Sequence, residues 1–272
     1  MTDRYAVIGN PIAHSKSPDI HAAFARQTGQ DMTYDCILGP LDGFFAAVDA
    51  FRAAGGRGMN VTLPFKVEAY EYARSRTPRA EAAGAVNTLK FDGAHVLGDN
   101  TDGAGLVRDL EQNLGVALAG RRVLLLGAGG ASRGVVLPLL ERRVGALVIA
   151  NRTAGKAVAI AARFAPHGPV VGCGFGDLAG QRFDVAINAT SASIAGEVPA
   201  LPGGIYADGA TAYDMMYGKG ETSFMQQARR DGAQHVSDGL GMLVEQAAEA
   251  FLLWRDVRPD TAPVLRQLRQ AL

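Results

Sequence analysis

Short apolar runs alternate with helical stretches along the chain, and that rhythm predicts its architecture. Residues 5–9, 32–37 and 57–61 are β-rich runs, separated by helical patterns that start at Ser17-Pro18 and cover 41–53. Alternation of this kind predicts a mostly parallel sheet, whose ligands lie beyond the carboxyl ends of the strands. A hairpin follows, 89–91 with 95–97, turning at Asp92-Gly93, and then a helix over 103–114. The second half alternates again: strands over 123–126, 146–150, 170–172 and 183–188 with a strand end at 213–217, and helices over 131–142, 153–164, 222–230, 240–254 and 259–272. No internal repeat relates the halves, so two distinct domains are expected. A proline- and glycine-rich stretch, 197–204, reads as a surface loop.

The helix over 240–254 carries an apolar stripe of Leu243, Ala247, Ala250, Phe251 and Trp254. Gln246 falls inside the arc of that stripe. An unpaired amide there is costly, so it calls for a buried partner or a ligand.

Length and composition narrow the picture. A chain of 272 residues, 48% hydrophobic, suits two α/β domains of ordinary size. Lysine plus arginine number 27 and aspartate plus glutamate 27, which argues against nucleic acid or an anionic membrane as a bulk electrostatic partner. The first residues lack the apolar core of a signal peptide, and no run is long enough to span a bilayer, so a cytoplasmic location is expected. Cys36 and Cys173 sit in no metal or redox spacing and are expected to fill small gaps as reduced thiols. The five histidines show no metal spacing. The acidic run around Asp99-Asn100-Thr101-Asp102 fails as a calcium loop, because Gly98 would occupy the first ligand position. No metal is expected.

Candidate chemistry gathers at turns. The run over 123–126 breaks at Gly127-Ala128-Gly129-Gly130-Ala131, which leads into a helix. Gly127 can take angles closed to other residues, Gly129 lets a pyrophosphate approach the main chain, and the helix supplies free N–H groups. Ser132 stands at the third glycine position of the usual fingerprint, a small residue that still permits close packing. The next strand ends at Asn151-Arg152-Thr153, where an NAD site would place a carboxylate. An amide, a guanidinium and a hydroxyl suit a 2′-phosphate instead, so NADP is inferred, with Lys156 a further cation. Thr153 is also expected to cap its helix. Thr190 and Ser191, ending the strand over 183–188, would face the crevice where a nicotinamide lies.

In the first half, Ser15 and Ser17 beside a helix start suit either a carboxylate ligand or a turn and an N-cap. Asn60-Val61-Thr62-Leu63-Pro64-Phe65-Lys66 leaves a strand at its carboxyl end. Lys66 then opens a helix, where the macrodipole disfavours a cation, so a use other than stability is indicated. Asp102 is placed either to cap the helix over 103–114 or to act in chemistry.

Nine segments occur in order across nearly the whole chain: SKSP, NVTLPFK, GAVNTL, GDNTDG, GAGGASRG, NRT, NATS, DMMYGKGETSF and DGLGMLVEQAAEAFLLW. Together they closely resemble the shikimate dehydrogenase family. The resemblance implies reversible NADPH-dependent reduction of 3-dehydroshikimate to shikimate, in aromatic amino-acid biosynthesis. It implies an open α/β substrate domain, 1–101 with 238–272, and a Rossmann-type doubly wound parallel sheet, 102–237, across a cleft, in a monomer or homodimer. Carried over by position, Ser15, Ser17 and Tyr217 would hold the substrate carboxylate, and Asn60, Thr62, Asn87 and Gln246 the ring oxygens. Lys66 and Asp102 would be the catalytic pair. Gly127, Ala128, Gly129, Gly130 and Ala131 would surround the diphosphate, Asn151, Arg152, Thr153 and Lys156 the 2′-phosphate, and Thr190, Met215 and Gly239 the nicotinamide. Lys156, Ala192 and Ser223 stand where members often carry arginine, serine and proline. An NAD-dependent quinate/shikimate dehydrogenase would carry an acidic residue just past the second strand of the nucleotide fold, and a ligand-sensing relative without turnover would lack the lysine or the aspartate. This chain has no such acid and keeps both residues.

Overall fold

The computed structural model describes residues 2–190 and 198–272, so Ser191, Ala192 and the first residue of the loop expected over 197–204 lie outside the described residues. The chain divides into two compact units, Met1–Gly105 with Val244–Ala271, and Leu106–Leu243. Both are α/β, as expected from the alternation.

The first unit contains β1 (Asp3–Gly9), α1 (Ser17–Thr28), β2 (Met32–Leu38), α2 (Phe44–Ala53), β3 (Gly56–Val61), α3 (Lys66–Tyr72), β4 (Ser75–Arg76), α4 (Pro78–Ala83), β5 (Thr88–Asp92) and β6 (His95–Asp99). Its sheet runs β2-β1-β3-β5-β6-β4. Strands β2, β1 and β3 are parallel, while β5 is antiparallel to both of its neighbours. One face packs Ile8, Val48, Phe51, Met59, Phe65, Val86 and Leu89 into a core. Tyr5 meets Trp254, near the C-terminal end of α9 (Leu240–Arg255), with ring centroids 4.7 Å apart, and the Trp254 indole N–H donates to Leu89 O at 3.0 Å. A Cβ on Gly58 would lie 2.5 Å from that indole nitrogen, which is why a glycine stands inside β3.

Between the two units the chain runs through α5 (Asp102–Arg108), prolonged by one π-helical turn, Asp109–Asn113. The second unit holds β7 (Arg122–Leu126), α6 (Gly130–Glu141), β8 (Ala146–Ala150), α7 (Ala154–Phe164), β9 (Val170–Cys173), β10 (Phe183–Asn188), β11 (Tyr206–Asp214), α8 (Ser223–Arg230) and β12 (His235–Ser237). The strands are all parallel, in the order β12-β11-β10-β7-β8-β9. The chain winds outward from β7 to β9, returns to β10 and winds outward the other way. In a doubly wound sheet the ligand crevice opens at this reversal, beyond the carboxyl ends of β7 and β10.

Several expected boundaries move. Lys16 occupies the N-cap position of α1 and Ser17 is its first residue, so Ser17 does not cap. Asp102 likewise begins α5, and its N–H donates to the Asn100 side chain at 3.2 Å; the Asn amide supplies the helix-start acceptor expected of Asp102. Thr153 sits at the N-cap of α7 but its side chain makes no capping bond. The hairpin turns at Gly93-Ala94, because Asp92 still pairs with His95. Helix α2 starts at Phe44 rather than 41, the C-terminal helix α10 spans Ala262–Ala271, and β11 starts at Tyr206 and ends at Asp214, before the expected 217. Cys36 fills no gap, since it is exposed on the edge strand β2, while Cys173 is half-buried; both are free thiols.

Candidate active site

In the first unit the strand ends and helix starts bring a lysine, two carboxamides and a carboxylate together. Lys66 opens α3 immediately after the extended Thr62-Leu63-Pro64 segment, and its Nζ lies 2.5 Å from Asp102 Oδ2. The side chains are 21% and 11% exposed, open enough to meet a ligand and covered enough to hold one geometry. The other oxygen of Asp102 accepts from Asn87 Nδ2 at 2.7 Å. Both carboxylate oxygens are therefore engaged, which fixes the plane of the acid and the direction of the ammonium.

Asn87 is the hub. Its Oδ1 accepts from Thr88 Oγ1 at 2.9 Å and from Thr101 N at 2.8 Å, and its Nδ2 also lies 3.0 Å from Thr101 Oγ1. Gln246, from α9, brings its Oε1 within 3.5 Å of Asn87 Nδ2 and 3.4 Å of Thr101 Oγ1. This is the buried partner that the apolar stripe of α9 demanded. Asn60 donates to Thr88 Oγ1 at 3.0 Å and accepts from the Tyr34 hydroxyl at 2.6 Å.

The loop that presents Asp102 is held from beneath. Asp99 is 1% exposed and is gripped by both the Nε and Nη2 of Arg79, at 2.7 and 2.6 Å, and by Thr77 Oγ1 at 2.5 Å. Burial acts to raise the pKa of Asp99, but the guanidinium fork overrides it and the net direction is down. Asn100 Nδ2 donates to Ala85 O at 3.1 Å. Every member of Asp99-Asn100-Thr101-Asp102 is thus buried and bonded.

Ser15 and Ser17 lie at the start of α1, with Ser15 Oγ accepting from Ser17 N at 3.3 Å. Ser17 is 8% exposed and Ser15 half-buried. Thr62, half-buried after β3, donates its N–H to Ile8 O and packs its methyl on Gly9, where a Cβ would be 2.4 Å away. Tyr217 belongs to the second unit, after β11, and burial raises its phenol above the ordinary value, with Asp238 adding to the shift.

In the second unit the glycine turn follows β7. Gly127 has φ +105 and its N–H donates to Ala150 O at 2.8 Å; a Cβ there would crowd Thr190 and Ala189 at the end of β10. A Cβ on Gly129 or Gly130 would meet nothing within 4 Å. Gly129 is the N-cap of α6 and offers no capping side chain, and the Ser132 hydroxyl, fully buried in the first turn, has no hydrogen-bond partner. Open space against uncapped N–H groups fits a pyrophosphate. Ala128 is half-buried and Ala131 exposed. After β8, Asn151 donates to Thr153 O at 3.0 Å, fixing a turn from which Arg152 and Lys156 project, exposed. Gly239 packs on the Met215 backbone, where a Cβ would be 2.2 Å from Met215 O.

Residues that sequence reasoning passed over hold these groups in place. Asn188 accepts from Thr190 Oγ1 at 2.7 Å and donates to Asp214 Oδ1 at 3.0 Å; Asp214 also accepts from Met216 N at 3.1 Å and Thr222 Oγ1 at 2.6 Å. One buried amide–acid pair thereby sets the loops carrying Thr190 and Met215. The legible signal was a polar residue closing each of two strands, β10 and β11, directly after an apolar or aromatic residue. Tyr34, Thr88 and Thr101 were also missed. Thr88 and Thr101 each stand next to a predicted site residue in a buried polar run.

Residues 7–89 match the family described as shikimate dehydrogenase substrate binding domain, residues 109–195 match shikimate / quinate 5-dehydrogenase, and residues 239–269 match shikimate 5'-dehydrogenase C-terminal domain. A shikimate dehydrogenase (NADP(+)) from Nitrosospira multiformis is 62% identical over 272 residues, covering 100% of this chain and 99% of its own. The crystal structure of an Ael1 enzyme from Pseudomonas putida superposes with TM-score 0.93 at 50% identity, over 98% of each chain. That of a shikimate 5-dehydrogenase from Thermus thermophilus, in complex with NADP(H) and shikimate, superposes with TM-score 0.87 at 33% identity over 100% of each chain. The chain belongs to the shikimate dehydrogenase family.

Proposed function

We propose that the protein is an NADP-dependent oxidoreductase that interconverts 3-dehydroshikimate and shikimate. The observation that carries this reading is the Lys66–Asp102 ion pair, tied through Asn87 to Thr101 and Gln246 in one polar cluster. The comparisons support it from a separate direction, through relatives named for this activity.

NADPH, when bound, supplies the hydride to the ketone carbon. Negative charge then grows on the ketone oxygen, and a donor fixed there beforehand lowers the barrier because it needs no reorganisation. The Lys66 ammonium is such a donor and also a proton source. Asp102 holds it by charge and geometry, and Asn87 holds Asp102. Asn60, Thr62, Asn87 and Gln246 are assigned to the ring oxygens, and Ser15 and Ser17, with Tyr217, to the carboxylate. Residues 1–101 with 238–272 are assigned to substrate binding and 102–237 to the cofactor. Gly127, Ala128, Gly129, Gly130 and Ala131 would hold the diphosphate, and Asn151, Arg152, Thr153 and Lys156 the 2′-phosphate. Thr190, Met215 and Gly239 are assigned to the nicotinamide. None of the described helices is long and apolar enough to cross a membrane. Its free cysteines accord with a cytoplasmic enzyme, working as a monomer or homodimer.

The test is turnover of shikimate, followed by nicotinamide absorbance, with NADP and NAD in parallel. Wild type is expected to prefer NADP. Lys66→Ala is expected to lower kcat by about 10²- to 10⁴-fold with shikimate still bound. Turnover within a few-fold of wild type would remove Lys66 from the chemistry.

A further inference from the structure

We propose that Glu249 is a positioning residue that sets Gln246 against the catalytic cluster, by tying α9 through Arg79 to the loop that presents Asp102. The inference rests on the assignment of Gln246 to the substrate ring.

A row of charged side chains, alternating in sign, runs from that loop to the helix. Asp99 takes Nε and Nη2 of Arg79, at 2.7 and 2.6 Å. The remaining nitrogen of the fork, Nη1, faces Glu249 Oε2 at 3.5 Å. The other oxygen of Glu249 accepts from Arg258 Nη1, and Arg258 Nη2 donates to Glu245 Oε2 at 3.0 Å. Thr261 Oγ1 closes the row by donating to Glu245 Oε1 at 2.5 Å. Glu245 and Glu249 stand one turn apart on α9 and bracket Gln246 in sequence.

Charge balance does not call for Glu249. Without it Arg79 keeps Asp99 and Arg258 keeps Glu245, each a pair of opposite sign. Glu249 adds a further negative charge on a side chain only 16% exposed, and withdrawing a carboxylate that far from water costs free energy. What it supplies is connection. Both guanidiniums share it, so the loop and the helix meet there.

Gln246 is where that connection matters. Its contacts with Asn87 Nδ2 and Thr101 Oγ1 are 3.5 and 3.4 Å, at the outer limit for a hydrogen bond, so a small shift of α9 decides whether they exist. An ion pair is less exacting. Coulomb attraction falls only as the inverse of distance, and a setting poor in water strengthens it, so Arg79 and Glu249 still pull together at 3.5 Å. On the loop side, Asp99 accepts from Asn100 N at 2.7 Å, and the Asn100 side chain accepts from Asp102 N at 3.2 Å. The row of charges thus sets the spacing between the loop of Asp102 and the helix of Gln246.

Glu249→Met and Gln246→Ala, singly and together, test this, with shikimate and NADP varied in turn and melting temperatures recorded. Methionine keeps the length of the side chain and ends both shared contacts, while each guanidinium retains a carboxylate. Glu249→Met is expected to raise KM for shikimate about fivefold, the loss of binding common to substrate and transition state, with kcat and KM for NADP within about twofold of wild type. In the Gln246→Ala background it is expected to add nothing. An unchanged KM for shikimate, whatever the melting temperature does, would make the row of charges purely structural and overturn the proposal, as would a rise that persists undiminished in the Gln246→Ala background. A silent Glu249→Met beside a strong Gln246→Ala removes Glu249 alone, whereas a silent Gln246→Ala removes Gln246 from the substrate and takes the proposal with it. Should Glu249→Met fail to fold, Glu249→Gln, which offers one acceptor oxygen to two guanidiniums, enters the same cycle and the same outcomes decide.

Discussion

At the scale of single residues, polar groups that never leave the protein interior set much of the behaviour. His21 is the plainest case, an imidazole with no hydrogen-bond partner among aromatic rings. In the folded state it stays neutral down to a pH of about 3, whereas in the unfolded chain it takes a proton near 6.5. Between those values the unfolded state binds more protons, so stability falls as pH falls, by up to about 1.4 kcal/mol per pH unit. Asp99, whose pKa is lowered, contributes only below the ordinary carboxylate range, where its stabilising charge is lost. Melting curves from pH 6.5 to 4.5 are therefore expected to drop for the wild type and to flatten for His21→Leu, which has no proton to gain. Parallel slopes in the two proteins would show that the acid limb belongs to other groups.

At the scale of elements, the strands and helices follow from local chemistry where packing on one side decides, and they shift where a third element intervenes. Helix α3 starts at Lys66 as the extended Leu63-Pro64 step requires, and α6 follows its glycine turn. The starts of α1 and α5 move because neighbouring residues take the capping positions: Lys16 stands at the N-cap of α1, and Asn100 supplies the side-chain acceptor at the start of α5. Gly58 could not be read from sequence at all, since what forbids a side chain there is Trp254, almost two hundred positions away. Gly58→Ala would bring a methyl to 2.5 Å from the indole nitrogen. Trp254 must then move and lose its bond to Leu89 O, at an expected cost of about 1–3 kcal/mol. Denaturant midpoints would record the loss, and a red shift in the emission of the chain's only tryptophan would locate it. An unchanged midpoint would mean that the β3–α9 packing yields freely.

At the scale of the whole chain, motif order made the family legible from sequence, because nine short segments at natural spacing specify far more than any one turn. What stayed hidden was the buried polar wiring: Tyr34 to Asn60, Asn87 to Asp102, and Asn188 to Asp214. Such bonds join residues distant in sequence, and neither periodicity nor spacing encodes them. Connectivity has a further consequence. The first unit is discontinuous, and Leu106–Leu243 forms the insert between its segments. Were the insert unfolded, the first unit would have to close a long flexible loop, at a cost of about 4 kcal/mol. A ligand that stabilises the insert must then stabilise its host. Trp254 reports on the first unit, and the proposed NADP site lies wholly in the second. NADP at about a hundred times its Kd adds roughly 2.7 kcal/mol to whatever binds it. The fluorescence midpoint of Trp254 on heating is therefore expected to rise with NADP, and Arg152→Ala is expected to need a higher concentration for the same rise. A far-UV signal that moves with NADP while the Trp254 midpoint stays put would show that the insert and its host unfold separately.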